Sequence, residues 1–162
     1  MFNPSIAQLH LDSLLKEHQI TVVKWSSNPC GKAWVSKREV KIPKPTTVEN
    51  FCVAMHELGH IIENASKSKM PLYRSEFIAE NFAMSQAKLL GFDYTHYKER
   101  ARRYIIMCIA KGYVRNLNLS RIEKDVIKFC RIDFKSWSGK KVFVSGWGSA
   151  VLTRPLKINI ID

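Results

Sequence analysis

The five residues HELGH, at positions 56–60, place two histidines four positions apart with a glutamate directly after the first. In a helix, positions i and i+4 lie on one face about 6 Å apart along the axis, so both imidazoles can bind one metal ion. Glu57 then lies beside the ion without being a ligand, which is the position of a base acting on water. Because Ala54, Leu58 and Ile61 fill the other faces, the pattern predicts a buried helix carrying a metal site.

A catalytic zinc site needs a third protein ligand and an open fourth position. Glu63 would have to reach back along its own helix, whereas Glu76 and Glu80 lie one turn apart on the next predicted helix. Ala83 and Ala87 continue their stripe and allow close helix packing. Two acids on a buried stripe cost free energy unless they bind metal or accept hydrogen bonds. We expect Glu76 or Glu80 to bind the metal and the other to accept the N–H of a ligating histidine.

The periodicity of the apolar residues predicts an α+β fold with a small three-stranded sheet near the N-terminus. The predicted strands are residues 20–25, 32–35 and 38–43. The predicted helices are residues 4–17, 46–64, 73–90, 95–112 and 120–134. We expect the sheet to pack on the HELGH helix and on the glutamate-bearing helix that follows.

Local signals mark the ends of several predicted helices. Thr46 with Glu49, and Ser120 with Glu123, match the capping-box pattern and would open the second and fifth helices. Gly91 has the position of the residue that follows a helix C-terminus. Residues 136–162 are rich in glycine and aromatic residues and are expected to form irregular structure or short strands.

The chain of 162 residues is expected to form a single domain. Residues 1–91 would be its core and residues 92–162 a basic, mainly helical extension of the same domain. The longest apolar run, residues 104–110, is too short to span a membrane, so we expect no membrane association. The four cysteines show neither CxxC spacing nor disulfide density, and no signal-peptide pattern opens the chain. These features favour a reduced, cytoplasmic protein, and the oligomeric state stays open.

The motif and its surroundings resemble the ImmA/IrrE-type metallopeptidases, small zincins associated with phages, mobile elements and bacterial stress responses. The resemblance covers about residues 18–91, including the strand pair KAWVSKREVKIP at 32–43. Besides HELGH, the matching residues are Glu76, Ala79, Phe82, Ala83, Leu89 and Leu90. The resemblance implies a zincin-like, gluzincin-type core with one Zn²⁺ per chain.

The same resemblance implies roles for individual residues. His56, His60 and Glu76 would be the metal ligands, and Glu57 the catalytic base. Glu80 stands where the family more often has Asn. In thermolysin-like zincins an acid at this spacing supports a ligating histidine, and Glu80 is placed in the same way.

We therefore expect a zinc-dependent endopeptidase that hydrolyses an intracellular protein, and the family suggests a DNA-bound regulator as its substrate. The strand at 38–42 is expected to pair with an extended substrate segment. A donor to the tetrahedral oxyanion is also needed. His96 and Tyr73 are candidates for this transition-state stabiliser, as are Tyr94 and Tyr97.

The C-terminal part suggests an alternative, because its charge is unbalanced. Residues 1–90 carry 11 basic and 8 acidic side chains, whereas residues 91–162 carry 15 and 6. Such an excess fits either solvated helices or a nucleic-acid partner, so the alternative is a nucleic-acid-binding protein with an inactive or structural zincin core. The expected phosphate contacts are Lys98, Arg100, Arg102, Arg103, Lys111, Arg115, Arg121, Lys124, Lys128 and Arg131.

Overall fold

The computed structural model describes residues 1–63, 70–114, 121–133 and 159–160. The N-terminal elements are helix α1 (Pro4–Glu17) and strands β1 (Thr21–Ser26), β2 (Lys32–Trp34) and β3 (Glu39–Pro43). Four helices follow, α2 (Val48–Ile62), α3 (Leu72–Leu89), α4 (Thr95–Val114) and α5 (Lys124–Cys130), with short strands β4 (Ile132–Asp133) and β5 (Asn159–Ile160). The predicted α+β composition is confirmed. Helices α1 to α4 match their predicted ranges to within two residues at each end.

The three-stranded sheet has β3 at its centre. Strand β1 pairs with β3 in parallel and β2 pairs with it antiparallel, so the order is β1-β3-β2. Val40 and Ile42 of β3 are fully buried, as their alternation predicts, and both β3 and β2 pack on α2. Because both edges of β3 are taken, the prediction that residues 38–42 pair with a substrate is wrong. Among the described residues, β2 is the strand at that edge of the sheet.

Helix α2 begins one residue later than the capping-box pattern indicates. Thr47 is the N-cap, and its Oγ1 accepts a hydrogen bond from the backbone N–H of Asn50 at 3.1 Å. Thr46 accepts from the side-chain amide of Asn50 instead, so the predicted Thr46–Glu49 capping box is wrong. Phe51 and Leu58 are fully buried, and each contributes about 1.5–3 kcal/mol through burial. Burial of the faces other than that of His56 and His60 therefore holds this helix within its unit.

The chain divides into two compact units by its internal contacts. The first comprises residues 1–70 and 75–98, and its core includes Leu11, Val40 and Phe51. The second comprises residues 71–74 and 99–162, and the fully buried Ile105 and Val126 belong to its core. The single domain expected over 1–162 stays a prediction.

Helix α5 is shorter than the predicted range. It begins after Glu123, whose side chain makes no capping hydrogen bond, and it ends at Arg131, which has a φ of +53°. The predicted opening of this helix by a Ser120–Glu123 capping box is therefore wrong, and Ser120 lies outside the described residues. Gly91 has a φ of +68° after α3, which confirms its predicted place. The predictions for residues 136–158 also fall outside the described ranges.

No helix within the described ranges combines the length and the apolar character that crossing a membrane requires.

Candidate metal centre

Three side chains of α2 and α3 converge at one point. His56, His60 and Glu76 each bring one ligand atom to within 4.8 Å of the others. The Nε2 atoms of the histidines are 3.1 Å apart, and Oε2 of Glu76 lies 3.2 Å from Nε2 of His56 and 3.5 Å from Nε2 of His60. Metal–ligand bonds of about 2.1 Å at tetrahedral angles separate donor atoms by about 3.4 Å. The three atoms therefore have the spacing of three ligands around one ion.

The chemistry of Glu76 tests whether these residues fit a cation. Its Oε2 is buried and accepts no hydrogen bond of normal geometry from the described residues. Burial by itself raises the pKa of Glu76, but His56 and His60 outweigh this and lower the pKa to about 2. A buried carboxylate of this kind is costly unless a positive charge or a donor compensates it. The residues present fit a divalent cation.

A close helix contact brings Glu76 within reach of the histidines. A Cβ added at Gly59 would lie 3.1 Å from Cα of Ala79 and 3.1 Å from Cβ of Phe82. The missing side chain therefore allows α3 to approach α2 one turn away from the glutamate. Ala83 and Ala87, which were expected to smooth this face of α3, are fully buried.

Glu80 faces the Nδ1 side of the His56 ring and does not belong to the group formed by the two Nε2 atoms and Glu76. Its Oε1 is 3.3 Å from Nδ1 of His56, and its Oε2 accepts a hydrogen bond from the hydroxyl of Tyr97 at 2.6 Å. Burial by itself lowers the pKa of His56, but Glu80 and Glu76 outweigh it and raise this pKa well above its usual value. Of the two acids left open by the sequence, the geometry groups Glu76 with the Nε2 atoms. Glu63 is exposed at the end of α2, outside the cluster.

Glu57 is buried next to the cluster without belonging to it. Its side chain lies against the backbone at Gly31, just before β2, where an added Cβ would be 2.6 Å from Oε1 of Glu57. Burial raises the pKa of Glu57 above its ordinary value, and the nearby His56 and His60 oppose that rise. Gly31 falls between the predicted strands at 20–25 and 32–35, and no signal in the sequence links it to Glu57.

Comparison of the chain with models of protein families, with curated proteins and with solved structures finds no match. The resemblance to ImmA/IrrE-type metallopeptidases stays a prediction that depends on the residues quoted above.

The predicted transition-state stabilisers lie in different places. His96 is exposed in the first turn of α4, and no contact among the described residues joins it to His56, His60 or Glu76. Tyr73 is buried in the second unit, where its hydroxyl donates to Oε2 of Glu123 at 2.9 Å. Burial, together with that hydrogen bond, raises the pKa of Tyr73 to about 12. The role assigned to either residue stays a prediction.

The hydroxyl of Tyr97, also a candidate oxyanion donor, donates a hydrogen bond to Glu80. The oxyanion role of Tyr97 stays a prediction, and its contact with Glu80 was not expected from the sequence. A buried tyrosine hydroxyl requires an acceptor, and Glu80 is the acidic neighbour that meets this requirement. The rule that a buried tyrosine hydroxyl needs an acceptor is a signal in the sequence that favours such a pair.

One of the predicted phosphate contacts is engaged inside the second unit. Arg102 is buried, its Nε donates to the backbone carbonyl of Phe129 at 2.9 Å, and its guanidinium pairs with Glu99. The prediction that Arg102 contacts phosphate is therefore wrong, since its donors serve the fold. Arg115 lies outside the described residues. The exposed members of the predicted set include Arg103, Arg121, Lys124, Lys128 and Arg131.

Proposed function

We propose that this protein is a zinc-dependent peptidase that uses His56, His60 and Glu76 as metal ligands and Glu57 as its base. The observation that carries the proposal is the mutual spacing of 3.1–3.5 Å among the two Nε2 atoms and Oε2 of Glu76. Two imidazoles and one carboxylate, with a fourth position left for water, form a ligand set used by catalytic zinc. The further expectation of a zincin-like core belongs to the same proposal.

The residues of the chain divide the chemistry among them. His56, His60 and Glu76 would hold the zinc ion, which when bound would supply the Lewis acidity that makes water nucleophilic near neutral pH. Glu57, next to His56 in the chain, takes the proton of the attacking water and delivers it to the nitrogen of the leaving amine. Burial of Glu57 against Gly31 limits the positions available to its carboxylate, so the base is held ready for this transfer.

The sheet supports a peptide as the substrate. Strand β2 follows Gly31 directly, and no strand among the described residues pairs with its outer edge. An extended peptide segment can add to such an edge through main-chain hydrogen bonds. We therefore propose that β2, and not β3, pairs with the substrate, because β2 begins directly after Gly31, which contacts Glu57. An intracellular protein, such as the DNA-bound regulator that the resemblance suggests, is the proposed source of that segment.

The test combines metal analysis with cleavage of a proteome-derived peptide library, read by mass spectrometry. The wild-type protein is expected to bind one zinc ion per chain and to cleave peptides, and removal of the metal by a chelator abolishes cleavage. Glu57→Gln is expected to keep the zinc and to lose about 100- to 10,000-fold in activity. Glutamine has nearly the shape of glutamate, so the variant is expected to fold and to bind zinc as the wild-type protein does.

A wild-type protein that binds no zinc would overturn the proposal, and so would either of two cleavage results. One is a wild-type protein that binds zinc and cleaves no member of the library. The other is cleavage that persists at the wild-type rate in Glu57→Gln, because activity of a contaminating peptidase would behave in this way.

A further inference from the structure

A buried tyrosine hydroxyl links the elements that carry the metal-binding cluster. Tyr97 of α4 is 4% exposed, and its hydroxyl donates to Oε2 of Glu80 on α3 at 2.6 Å. The same hydroxyl lies 3.5 Å from the backbone carbonyl oxygen of Cys52, one turn before His56 on α2. One polar group thus contacts both the helix of the histidines and the helix of the glutamates.

The short bond to Tyr97 has a consequence for the orientation of Glu80. The terminal torsion of a glutamate is soft, so a carboxylate whose second oxygen has no partner rotates readily. Hydrogen bonds to a carboxylate of this length are among the stronger ones in proteins. With Oε2 held by Tyr97, Oε1 of Glu80 faces Nδ1 of His56 at 3.3 Å. The hydroxyl therefore keeps Glu80 in the position in which it can orient the imidazole.

We infer that Tyr97 is a positioning residue of the metal site, which acts through Glu80 on His56 and increases the affinity for the metal. This inference rests on the metal binding in the proposed function and not on peptide cleavage. Carboxylates that orient a ligating histidine typically change metal affinity by about 10- to 100-fold when removed. Since Tyr97 acts one step further away, its hydroxyl is expected to contribute about tenfold.

Another tyrosine of the chain provides a matched control. Tyr73 is also buried, and it also donates to a glutamate, Glu123, at 2.9 Å, but in the second unit. Tyr73→Phe and Tyr97→Phe thus delete the same kind of hydrogen bond. If the hydroxyl contributes only to the fold, both variants change the midpoint of urea unfolding and neither changes metal affinity. If the hydroxyl positions the metal site, metal affinity falls in Tyr97→Phe alone.

The experiment measures zinc affinity by competition with a chromophoric chelator, and the geometry of the site by the visible spectrum of the cobalt-substituted protein. Tyr97→Phe is expected to bind zinc about tenfold more weakly and to alter the cobalt spectrum. Tyr73→Phe is expected to match the wild-type protein in both measurements.

A double-mutant cycle tests whether Tyr97 acts through Glu80. In the Glu80→Gln background, Tyr97→Phe is expected to cause no further loss of zinc affinity, because the group that transmits its effect is already altered. Additive losses in this cycle, wild-type affinity in Tyr97→Phe, or an equal loss in Tyr73→Phe would each overturn the inference.

The outcome is separate from that of the proposed function. A protein that binds zinc but cleaves no peptide would refute the peptidase and still allow the Tyr97 comparison to be made. A wild-type protein that binds neither zinc nor cobalt would refute both.

Discussion

The backbone at Gly31 lies directly against the side chain of Glu57. A Cβ added at Gly31 would be 2.4 Å from Cγ of Glu57 and 2.6 Å from its Oε1, far inside van der Waals contact. Only a glycine can therefore occupy this position while Glu57 keeps its place. The position of Glu57, the proposed base, therefore depends on a glycine in the loop before β2.

Gly31→Ala is expected to displace Glu57 while leaving the three proposed metal ligands in place. The added methyl group overpacks the contact, at a cost of about 1–3 kcal/mol in the free energy of unfolding. Misplacement of the base should reduce kcat for a cleaved peptide by roughly 10- to 100-fold. Zinc content and KM are expected to stay near their wild-type values, and steady-state kinetics with metal analysis measure all three.

Gly91→Ala is the control for this substitution. Gly91 has a φ of +68° and no atom within 4 Å of an added Cβ. Its replacement costs about 1 kcal/mol of stability through backbone strain alone and should leave kcat unchanged. A wild-type kcat in Gly31→Ala, or an equal loss in Gly91→Ala, would refute the role of this contact.

Glu76→Gln is expected to weaken zinc binding by more than roughly 10- to 100-fold. That range is the loss seen when a residue that only hydrogen-bonds to a metal ligand is removed. The neutral amide replaces the carboxylate whose Oε2 lies 3.2 Å and 3.5 Å from the two Nε2 atoms. Glu63→Gln makes the same change at an exposed position and should bind zinc normally. Calorimetric titration with zinc compares the two variants. The reverse order of affinities would assign the third ligand to Glu63.

Gly59→Ala is expected to destabilise the protein although alanine favours a helix. The gain in helix propensity is about 1 kcal/mol. The added Cβ, however, meets Cα and the carbonyl oxygen of Ala79 at 3.1 Å and 3.2 Å, and a helix backbone cannot move aside independently. Overpacking of about 1–3 kcal/mol should outweigh the propensity. Urea unfolding measures the balance, and a more stable variant would show that α3 can shift without cost.

The ion pair of Arg74 with Asp125 should make the free energy of unfolding depend on pH. Slight burial raises the pKa of Asp125, but the hydrogen bond from Arg74 at 2.7 Å and that from the backbone of Val126 lower it below its ordinary value. A carboxyl whose folded-state pKa is lowered stabilises the fold above its unfolded pKa of about 3.9 and loses that contribution as the pH falls through the folded value.

Asp125→Asn tests this dependence. Because Asp125 is half-exposed, the wild-type protein should be more stable by less than about 1 kcal/mol near neutral pH. That difference should shrink as the pH falls below about 4. Urea unfolding at a series of pH values measures it for both proteins. A difference that stays constant down to about pH 2 would contradict the assigned pKa shift.

The sequence by itself determined the features that depend on local spacing. Apolar periodicity placed α1 to α4 to within two residues, because burial of one helix face repeats at every turn. The four-residue spacing of His56 and His60 likewise put both imidazoles on one face. Local signals failed where a neighbouring residue offers the same chemistry, as when Thr47 and not Thr46 caps α2.

The tertiary structure alone decided the relations between elements that are distant in sequence. It put β3 at the centre of the sheet and left β2 at its edge. It also grouped Glu76 with the histidines, turned Glu80 toward Tyr97, and laid Gly31 against Glu57. The physical reason is that spacing along a chain sets which side chains share a face, whereas the packing of separate elements sets which atoms of those faces meet.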